Sequence, residues 1–330
     1  MAGVEAKEIS LPVNDGFLSA LDFGGTGHPV LLVHGSGHNA AAWTDVAFHL
    51  TDHCRVVAVD LRGHGQTRID SSNAEQYWHD LSDAVQALGW EEPVLVGHSM
   101  GGYAVTAVTA SGRLRPRAVC VVDGLILNDR ETAMAEQRKW TMPEAMDQAR
   151  AQFRYGWSAS PEQVSEFIEQ SVHEAPGDWL NQGSRPGLLR KVLERSFSHQ
   201  EHTWLRRPTP EQIAVISAPS PDAVVYPSVD VYERLTCPLV VVLPDQGFYA
   251  ARRDEVRAVV QARPERELME MHTHHNVPMV RSAELARVIL DLLPPTILRL
   301  ESSVDTPFPA TFRARVPAGR PRGWPLRHRC

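Results

Sequence analysis

The feature that most constrains the fold is an alternation of short, continuously apolar runs with longer segments of helical spacing. A strand that is buried on both faces is apolar throughout, and strands that alternate with helices form a parallel sheet covered by helices. Apolar runs lie at residues 29–35, 54–65, 93–99 and 117–124, with helical spacing at 41–50 and 74–88 between them. They are preceded by two strand-like segments, 8–13 and 17–23, on either side of the hairpin signal Asn14-Asp15-Gly16.

The alternation stops after Gly124 and resumes with the apolar run at 237–245. Between them the sequence has helical patches, at 161–172 and 186–197, and no strand-like run. We therefore predict an α/β protein with a mostly parallel eight-stranded sheet flanked by helices, into which a helical cap is inserted. The predicted parts are a core of 1–124 and 236–300, a cap of 125–235, and a disordered tail of 301–330 that is rich in Pro and Arg.

One tight turn carries a candidate nucleophile, in the stretch Gly97-His98-Ser99-Met100-Gly101 between a strand and a helix. A residue at such a corner has strained backbone angles, and neighbouring segments can approach it only if the residues two before and two after lack bulk. Gly97 and Gly101 meet that need. The side chain of Ser99 would then stand above the helix N-terminus, where unpaired N–H groups favour a developing negative charge.

Composition narrows the classes of function. The 330 residues carry a formal charge of −7, which argues against a nucleic-acid surface. No apolar run approaches the length of a membrane span and the first residues have no secretion signal, so we expect a cytoplasmic protein with no membrane partner. The four cysteines are scattered without the spacing of a zinc site or a disulfide framework: Cys54, Cys120, Cys237 and Cys330. We expect the first three to be reduced and mostly buried.

Taken together, the motifs resemble those of the α/β-hydrolase family, in its subgroup with a helical cap after the sixth strand, over residues 8 to 295. The motifs are His34-Gly35-Ser36-Gly37 after the third strand, the Ser99 turn after the fifth, the 60–65 segment after the fourth, and His275 after the last strand. The resemblance implies that Ser99 is the nucleophile, and that the backbone amides of Ser36 and Met100 form the oxyanion hole. It also implies that His275 is the general base, a role that suits an imidazole because it titrates near neutral pH.

The neighbouring histidines leave some of this open. His272 and His274 are close enough in sequence to His275 to be alternatives for the base. His34 and His98 are expected to be structural, holding the loops that carry the oxyanion amides. No carboxylate or cysteine lies at ligand spacing from the histidine cluster, so we expect no metal and no cofactor.

The sequence departs from the family at the acid that orients the histidine. Members commonly place it four residues past the end of strand seven; here that strand is expected to end near Leu243, and the position falls on Gly247. Asp123, at the end of strand six, is our preferred acid because some members place it there. Asp245 is the alternative acid, and Asp254 or no acid at all stays open.

The implied reaction is hydrolysis of a carboxylic ester, lactone or related acyl compound, without a cofactor, through an acyl-enzyme on Ser99. A serine at the turn disfavours epoxide or haloalkane hydrolysis, which needs a carboxylate nucleophile. Hydrolysis of a carbon–carbon bond, or a non-catalytic small-molecule receptor of the same fold, are the alternatives. Cap aromatics, among them Trp140, Trp157 and Trp179, favour an apolar or aromatic small-molecule substrate, while the oligomeric state is left open.

Overall fold

A computed structural model describes residues 5–294, and its centre is an eight-stranded sheet with the order β1-β2-β4-β3-β5-β6-β10-β11. The strands β1 and β2 form an antiparallel hairpin, β2 pairs antiparallel with β4, and every later pair in the sheet is parallel. The bounds are β1 Lys7–Val13, β2 Gly16–Gly24, β3 His28–Val33, β4 Cys54–Val59, β5 Val94–His98, β6 Ala118–Val122, β10 Leu239–Gln246 and β11 Arg266–His274. The predicted fold class is confirmed.

Helices cover both faces of this sheet, which explains why its central strands are continuously apolar. Along β3, Leu31 and Val33 point to one face, and Val30 and Leu32 to the other. The first face packs against α2, α3 and α9, and the second against α1 and α11. The bounds are α1 Thr44–Leu50, α2 Gln76–Ala87, α3 Met100–Ala110, α9 Arg253–Gln261, α10 Val277–Val280 and α11 Ser282–Asp291.

The segment 125–235 adds no strand to the main sheet, but it is not purely helical. It holds α4 Arg130–Trp140, α5 Pro143–Phe153, α6 Pro161–Glu174, α7 Pro186–Arg195 and α8 Pro210–Ile216, with a small antiparallel sheet of order β7-β9-β8. Its strands are β7 Ser158–Ala159, β8 Phe197–Gln200 and β9 Thr203–Arg206. The expectation of a cap without strands is therefore corrected. Strands this short leave little periodic signal, because β8 and β9 pair over only four residues each.

Two of the predicted helices differ from the observed helices at one end. The helix predicted at 186–197 ends at Arg195, since Phe197 already belongs to β8. The segment predicted as helix from residue 41 begins as a 3₁₀ turn, Ala40–Trp43, in which the Asn39 side chain accepts from the amide of Ala41. Buried residues of that turn pack against α7 of the inserted segment.

The inserted segment is held on the core by ion pairs of Arg195, one of them with a buried carboxylate. The Arg195 guanidinium, at the end of α7, contacts the buried Asp60 at 2.9 Å and the half-exposed Glu8 at 2.7 Å. Burial raises the pKa of Asp60, and the Arg195 charge opposes that rise. We propose 125–235 as the extent of the cap.

The predicted tail, 301–330, and Cys330 lie outside the described residues. Within residues 5–294, Cys54 and Cys120 are buried, Cys237 is partly buried, and all three are free thiols. No helix in that part of the chain is long and apolar enough to cross a membrane.

Candidate active site

The turn at Ser99 has the strained geometry that its sequence indicates. Ser99 lies between β5 and α3 with φ of 52° and ψ of −123°, a region that side-chain-bearing residues rarely adopt. A Cβ at Gly97 would overlap the carbonyl oxygen of Gly101, and a Cβ at Gly101 would overlap that of Val33. The two glycines are therefore required by close backbone approach, and the Ser99 side chain is left partly exposed.

Two backbone amides near Ser99 are free to donate. A Cβ at Gly35 would lie 2.7 Å from the Cβ of Ser99, so the loop after β3 lies directly against the turn. Within residues 5–294, neither the amide of Ser36 nor that of Met100 has a hydrogen-bond acceptor. Unpaired N–H groups on both sides of a serine are suited to a developing oxyanion.

His275 and Asp123 form a buried pair beside this turn. The His275 ring, in the loop after β11, donates from Nδ1 to Asp123 Oδ2 over 2.6 Å. The same oxygen accepts from the amide of Phe248 at 3.0 Å. Because Nδ1 carries the proton in this arrangement, Nε2 of a neutral His275 is left with the lone pair that a general base needs.

The Ser99 loop and the Asp123 loop are neighbours through the backbone. The amide of Ser99 donates to the carbonyl of Val122 at 2.9 Å, one residue before Asp123. The Ser99 hydroxyl itself has no hydrogen-bond partner in the described part of the chain. In proteins without substrate the hydrogen bond between nucleophile and base is often long. The missing hydrogen bond from the Ser99 hydroxyl is therefore compatible with His275 acting as its base.

The alternative residues for base and acid pair elsewhere. Asp245 Oδ2 accepts from Nδ1 of the exposed His272 at 2.6 Å, and its other oxygen accepts from the amide of Thr273. His274 donates from Nε2 to the carbonyl of Gln182 at 2.7 Å. Asp254 has a 98% exposed side chain. Among these histidines and carboxylates, Asp123 pairs with His275, whereas Asp245 pairs with His272.

The strand before Gly247 is longer than predicted, and Gly247 itself faces the acid. The strand β10 continues to Gln246 rather than ending near Leu243, with a register irregularity after Pro244. A Cβ at Gly247 would overlap Oδ2 of Asp123. The position where the family commonly carries its acid is thus filled, in space, by the carboxylate of Asp123.

His34 and His98 support the loops, as expected. His34 donates from Nδ1 to the carbonyl of Gly35 at 2.8 Å and accepts at Nε2 from the amide of Leu61 at 3.0 Å. His98 donates from Nε2 to the carbonyl of His275 at 2.9 Å, which fixes the loop that carries the base. Burial lowers the pKa of both rings well below the usual value, so both are neutral at neutral pH.

The three predicted substrate-binding tryptophans lie in different places. Trp179 packs against Phe248 with ring centroids 5.6 Å apart, and the Phe248 ring lies 4.0 Å from that of His275. Phe248 is 57% exposed and Trp179 47% exposed, so together they form an open apolar surface beside the base. Trp157 packs inside the cap, against Phe167. Trp140 is 51% exposed at the end of α4.

Sequence reasoning missed Phe248, which both donates its amide to Asp123 and packs its ring on His275. The one available signal was its place next to Gly247, in the loop where the family's acid is usually found. Among residues 5–294, no three His, Cys, Asp or Glu side chains converge as a metal site would require.

The sheet order and the site define the class, and comparison with known proteins agrees. The alpha/beta hydrolase family matches residues 30–288, and the chain belongs to that family. Protein phosphatase methylesterase 1 of Bos taurus is 40% identical over 110 residues, which are 30% of this chain and 29% of that protein. The chain thus matches under a third of the length of this relative.

Solved structures with the same fold extend over most of the chain. An E-2-(acetamidomethylene)succinate hydrolase is 18% identical with a TM-score of 0.67, covering 87% of this chain and 99% of that one. The enol-lactonase from Burkholderia xenovorans LB400 is 17% identical with a TM-score of 0.61, covering 86% and 99%. At such identities the likeness shows the fold alone.

Proposed function

We propose that the protein is a cofactor-independent serine hydrolase that cleaves a carboxylic ester, lactone or related acyl substrate through an acyl-enzyme on Ser99. The observation that carries the proposal is the strained turn of Ser99 beside the buried His275–Asp123 pair. The family includes hydrolases of this kind, and relatives of this chain are named as a methylesterase and an enol-lactonase.

In the proposed mechanism, Nε2 of His275 takes the proton of Ser99 as the hydroxyl attacks the substrate carbonyl. The negative charge on the carbonyl oxygen is met by the amides of Ser36 and Met100, each lowering the barrier by on the order of 3 kcal/mol. The imidazolium gives its proton to the leaving group as the bond from the acyl carbon to that group breaks, which leaves the acyl-enzyme. Water then attacks the acyl carbon while His275 takes its proton, and the bond to Ser99 Oγ breaks as His275 returns that proton to Oγ, which releases the acid.

Asp123 holds His275 in the required tautomer and stabilises the imidazolium. Its position suits that role because it is buried and its Oδ2 is fixed by two donors, His275 Nδ1 and the Phe248 amide. The apolar surface of Phe248 and Trp179 beside the base favours a substrate with an apolar or aromatic group on that side.

The proposal is tested with a fluorophosphonate probe, which labels a serine only when that serine is activated as a nucleophile. Wild-type protein should be labelled at Ser99, located by mass spectrometry, and should hydrolyse members of ester, lactone and thioester panels. Ser99→Ala should lose both properties while keeping its melting temperature, because the side chain is partly exposed and contributes little packing.

Ser82→Ala is a matched control, since Ser82 is partly exposed like Ser99 but lies on α2, outside the loops that carry Ser99, Asp123 and His275. It should be labelled like the wild type. An adduct on a serine other than Ser99, or full activity in Ser99→Ala, would contradict the proposal. A protein that binds ligands but neither reacts with the probe nor turns over any panel member would support the receptor alternative instead.

A further inference from the structure

The cap contains a buried guanidinium whose hydrogen-bonding capacity is unused. Arg206, the last residue of β9, is 9% exposed. Its Nε and Nη1 are buried and have no hydrogen-bond acceptor within residues 5–294. Most buried polar groups in proteins are paired, so an arginine with two unmatched nitrogen donors indicates an acceptor that the protein itself does not supply.

Two aromatic rings lie beside this guanidinium, and within residues 5–294 no carboxylate pairs with it. Its central carbon lies 4.5 Å from the ring centroid of Phe167 and 5.9 Å from that of Phe197. Among the described residues, no Asp or Glu forms an ion pair with Arg206. Burial lowers the pKa of Arg206 to about 10, so the group is still charged at neutral pH.

Arg206 is linked through the segment before β7 to the loop that carries the proposed oxyanion amide of Ser36. The carbonyl of Arg206 accepts from the amide of Gly156 at 3.0 Å, and the hydroxyl of the preceding residue, Tyr155, lies against Gly37, one residue after Ser36. In the same loop, burial lowers the pKa of His38 to about 4, and the charges of His275 and Arg206 act in the same direction. Tyr155 and His38 therefore connect the cap cation with the loop that follows β3.

We propose that Arg206 is a substrate-binding residue that receives a carboxylate at the far end of the substrate's acyl chain. The inference rests on the proposed esterase function and narrows its substrate class to anionic esters or lactones, such as half-esters of dicarboxylic acids. A carboxylate accepts charge-assisted hydrogen bonds from a guanidinium, and Nε and Nη1 of Arg206 each have a donor free to supply one. The aromatic rings beside it keep water away and strengthen that contact.

A purely structural role, in which the guanidinium only packs on Phe167 and Phe197, is the competing explanation. It accounts for the burial of Arg206, but it provides no acceptor for Nε and Nη1. The two explanations differ in a measurable way, because packing alone gives no preference between a charged and a neutral substrate of the same shape.

The test compares monoethyl esters of dicarboxylic acids of four to eight carbons with the same esters ending in a carboxamide. The amide has nearly the same shape without the charge, and the series of lengths samples the span from Ser99 to Arg206. For at least one length, kcat/KM should favour the carboxylate by about 10- to 100-fold, as charge-assisted hydrogen bonds do. The preference should lie mainly in KM.

Variants assign the preference to a side chain. Arg206→Met, which keeps much of the volume, should reduce the ratio of kcat/KM for the carboxylate ester to that for the carboxamide ester below threefold. Arg206→Lys should retain part of the preference. The control is Arg154→Met, since Arg154 also packs on Phe167, at 5.4 Å, but is exposed to solvent. It should keep the wild-type preference.

The inference is overturned if wild-type protein shows less than a threefold preference at every chain length, a result that requires no variant to fold. It is also overturned if the preference survives in Arg206→Met. In both cases neutral esters would still be cleaved and Ser99 still labelled, so the proposed esterase function would stand. Loss of labelling and of all ester turnover in wild-type protein would instead remove both proposals.

Discussion

Replacing the proposed acid by its amide, Asp123→Asn, tests the arrangement of the site directly. Oδ2 of Asp123 accepts from His275 Nδ1 and from the Phe248 amide, while Oδ1 is buried and has no partner among residues 5–294. An asparagine can keep its oxygen at the Oδ2 position and place its NH₂ where Oδ1 now lies. Geometry would be preserved, and the change would remove mainly the negative charge.

The size of the effect follows from the attraction between the Asp123 carboxylate and the imidazolium that forms on His275 during the reaction. Two unit charges about 4 Å apart interact by about 4 kcal/mol at an effective dielectric constant of about 20. Loss of that attraction from the transition state corresponds to a roughly 10³-fold lower kcat, since each 1.4 kcal/mol is tenfold. In a serine protease the equivalent change costs about 10⁴-fold.

The assay is kcat for an ester at saturation, with the rate of fluorophosphonate labelling as a second readout and circular dichroism to verify folding. Asp245→Asn is the matched control, because Asp245 pairs with the exposed His272 and not with His275. It should lose less than tenfold. A crippled Asp245→Asn beside a nearly normal Asp123→Asn would refute the assignment of the acid.

Two further predictions concern stability. Burial lowers the pKa of His38 and of His64 to about 4, below the value of about 6.5 in the unfolded chain, so the unfolded state binds more protons between these values. The free energy of unfolding should therefore fall as the pH falls from about 6.5 to about 4, by roughly 1 kcal/mol per pH unit for each histidine. Equal urea midpoints at pH 7 and pH 5 would contradict this prediction. Arg62→Met should cost about 3 kcal/mol or more in urea unfolding, because it leaves the buried Asp80 without its 2.5 Å partner. Arg190→Met, which breaks an exposed pair with Glu169, should change the midpoint little, and equal losses in the two variants would contradict the reasoning.

Local patterns in the sequence were enough for the main sheet and for the nucleophile turn. The doubly buried strands had to be continuously apolar, and the turn needed Gly97 and Gly101 because of backbone contacts within a few residues or with the neighbouring strand β3. These signals are carried by residues close together in the chain. The small cap sheet gave no such signal, because its strands are two to four residues long.

The proposed acid, Asp123, and the residue that supports it, Phe248, are brought to His275 by contacts that no local sequence pattern encodes. His275 and Asp123 are 152 positions apart, and they meet because β10 lies between β6 and β11 in the sheet. Position alone therefore left both Asp123 and Asp245 open. The contact of Phe248 with His275 arises from the loop after β10, whose path could not be derived from the length of the preceding apolar run.

Moving the acid between strands would test whether its place on β6 and the glycine at 247 depend on each other. A Cβ at Gly247 would overlap both Oδ2 of Asp123 and Cγ of Pro244, so all variants are made in a Pro244→Ala background. Gly247→Asp alone should be inactive, because its side chain collides with Asp123. Asp123→Gly alone should lower kcat about 10³-fold, because the carboxylate is lost. The backbone itself is not strained by this change, since φ at position 123 is 43° and suits glycine.

The double exchange moves the carboxylate to the loop after β10, within reach of His275. The double variant should be at least tenfold more active than either single exchange. Such a gain between contacting positions is the sign of direct coupling. A double variant no faster than Asp123→Gly would show that the loop after β10 cannot present an acid to His275, and that the glycine at 247 serves only to admit Asp123.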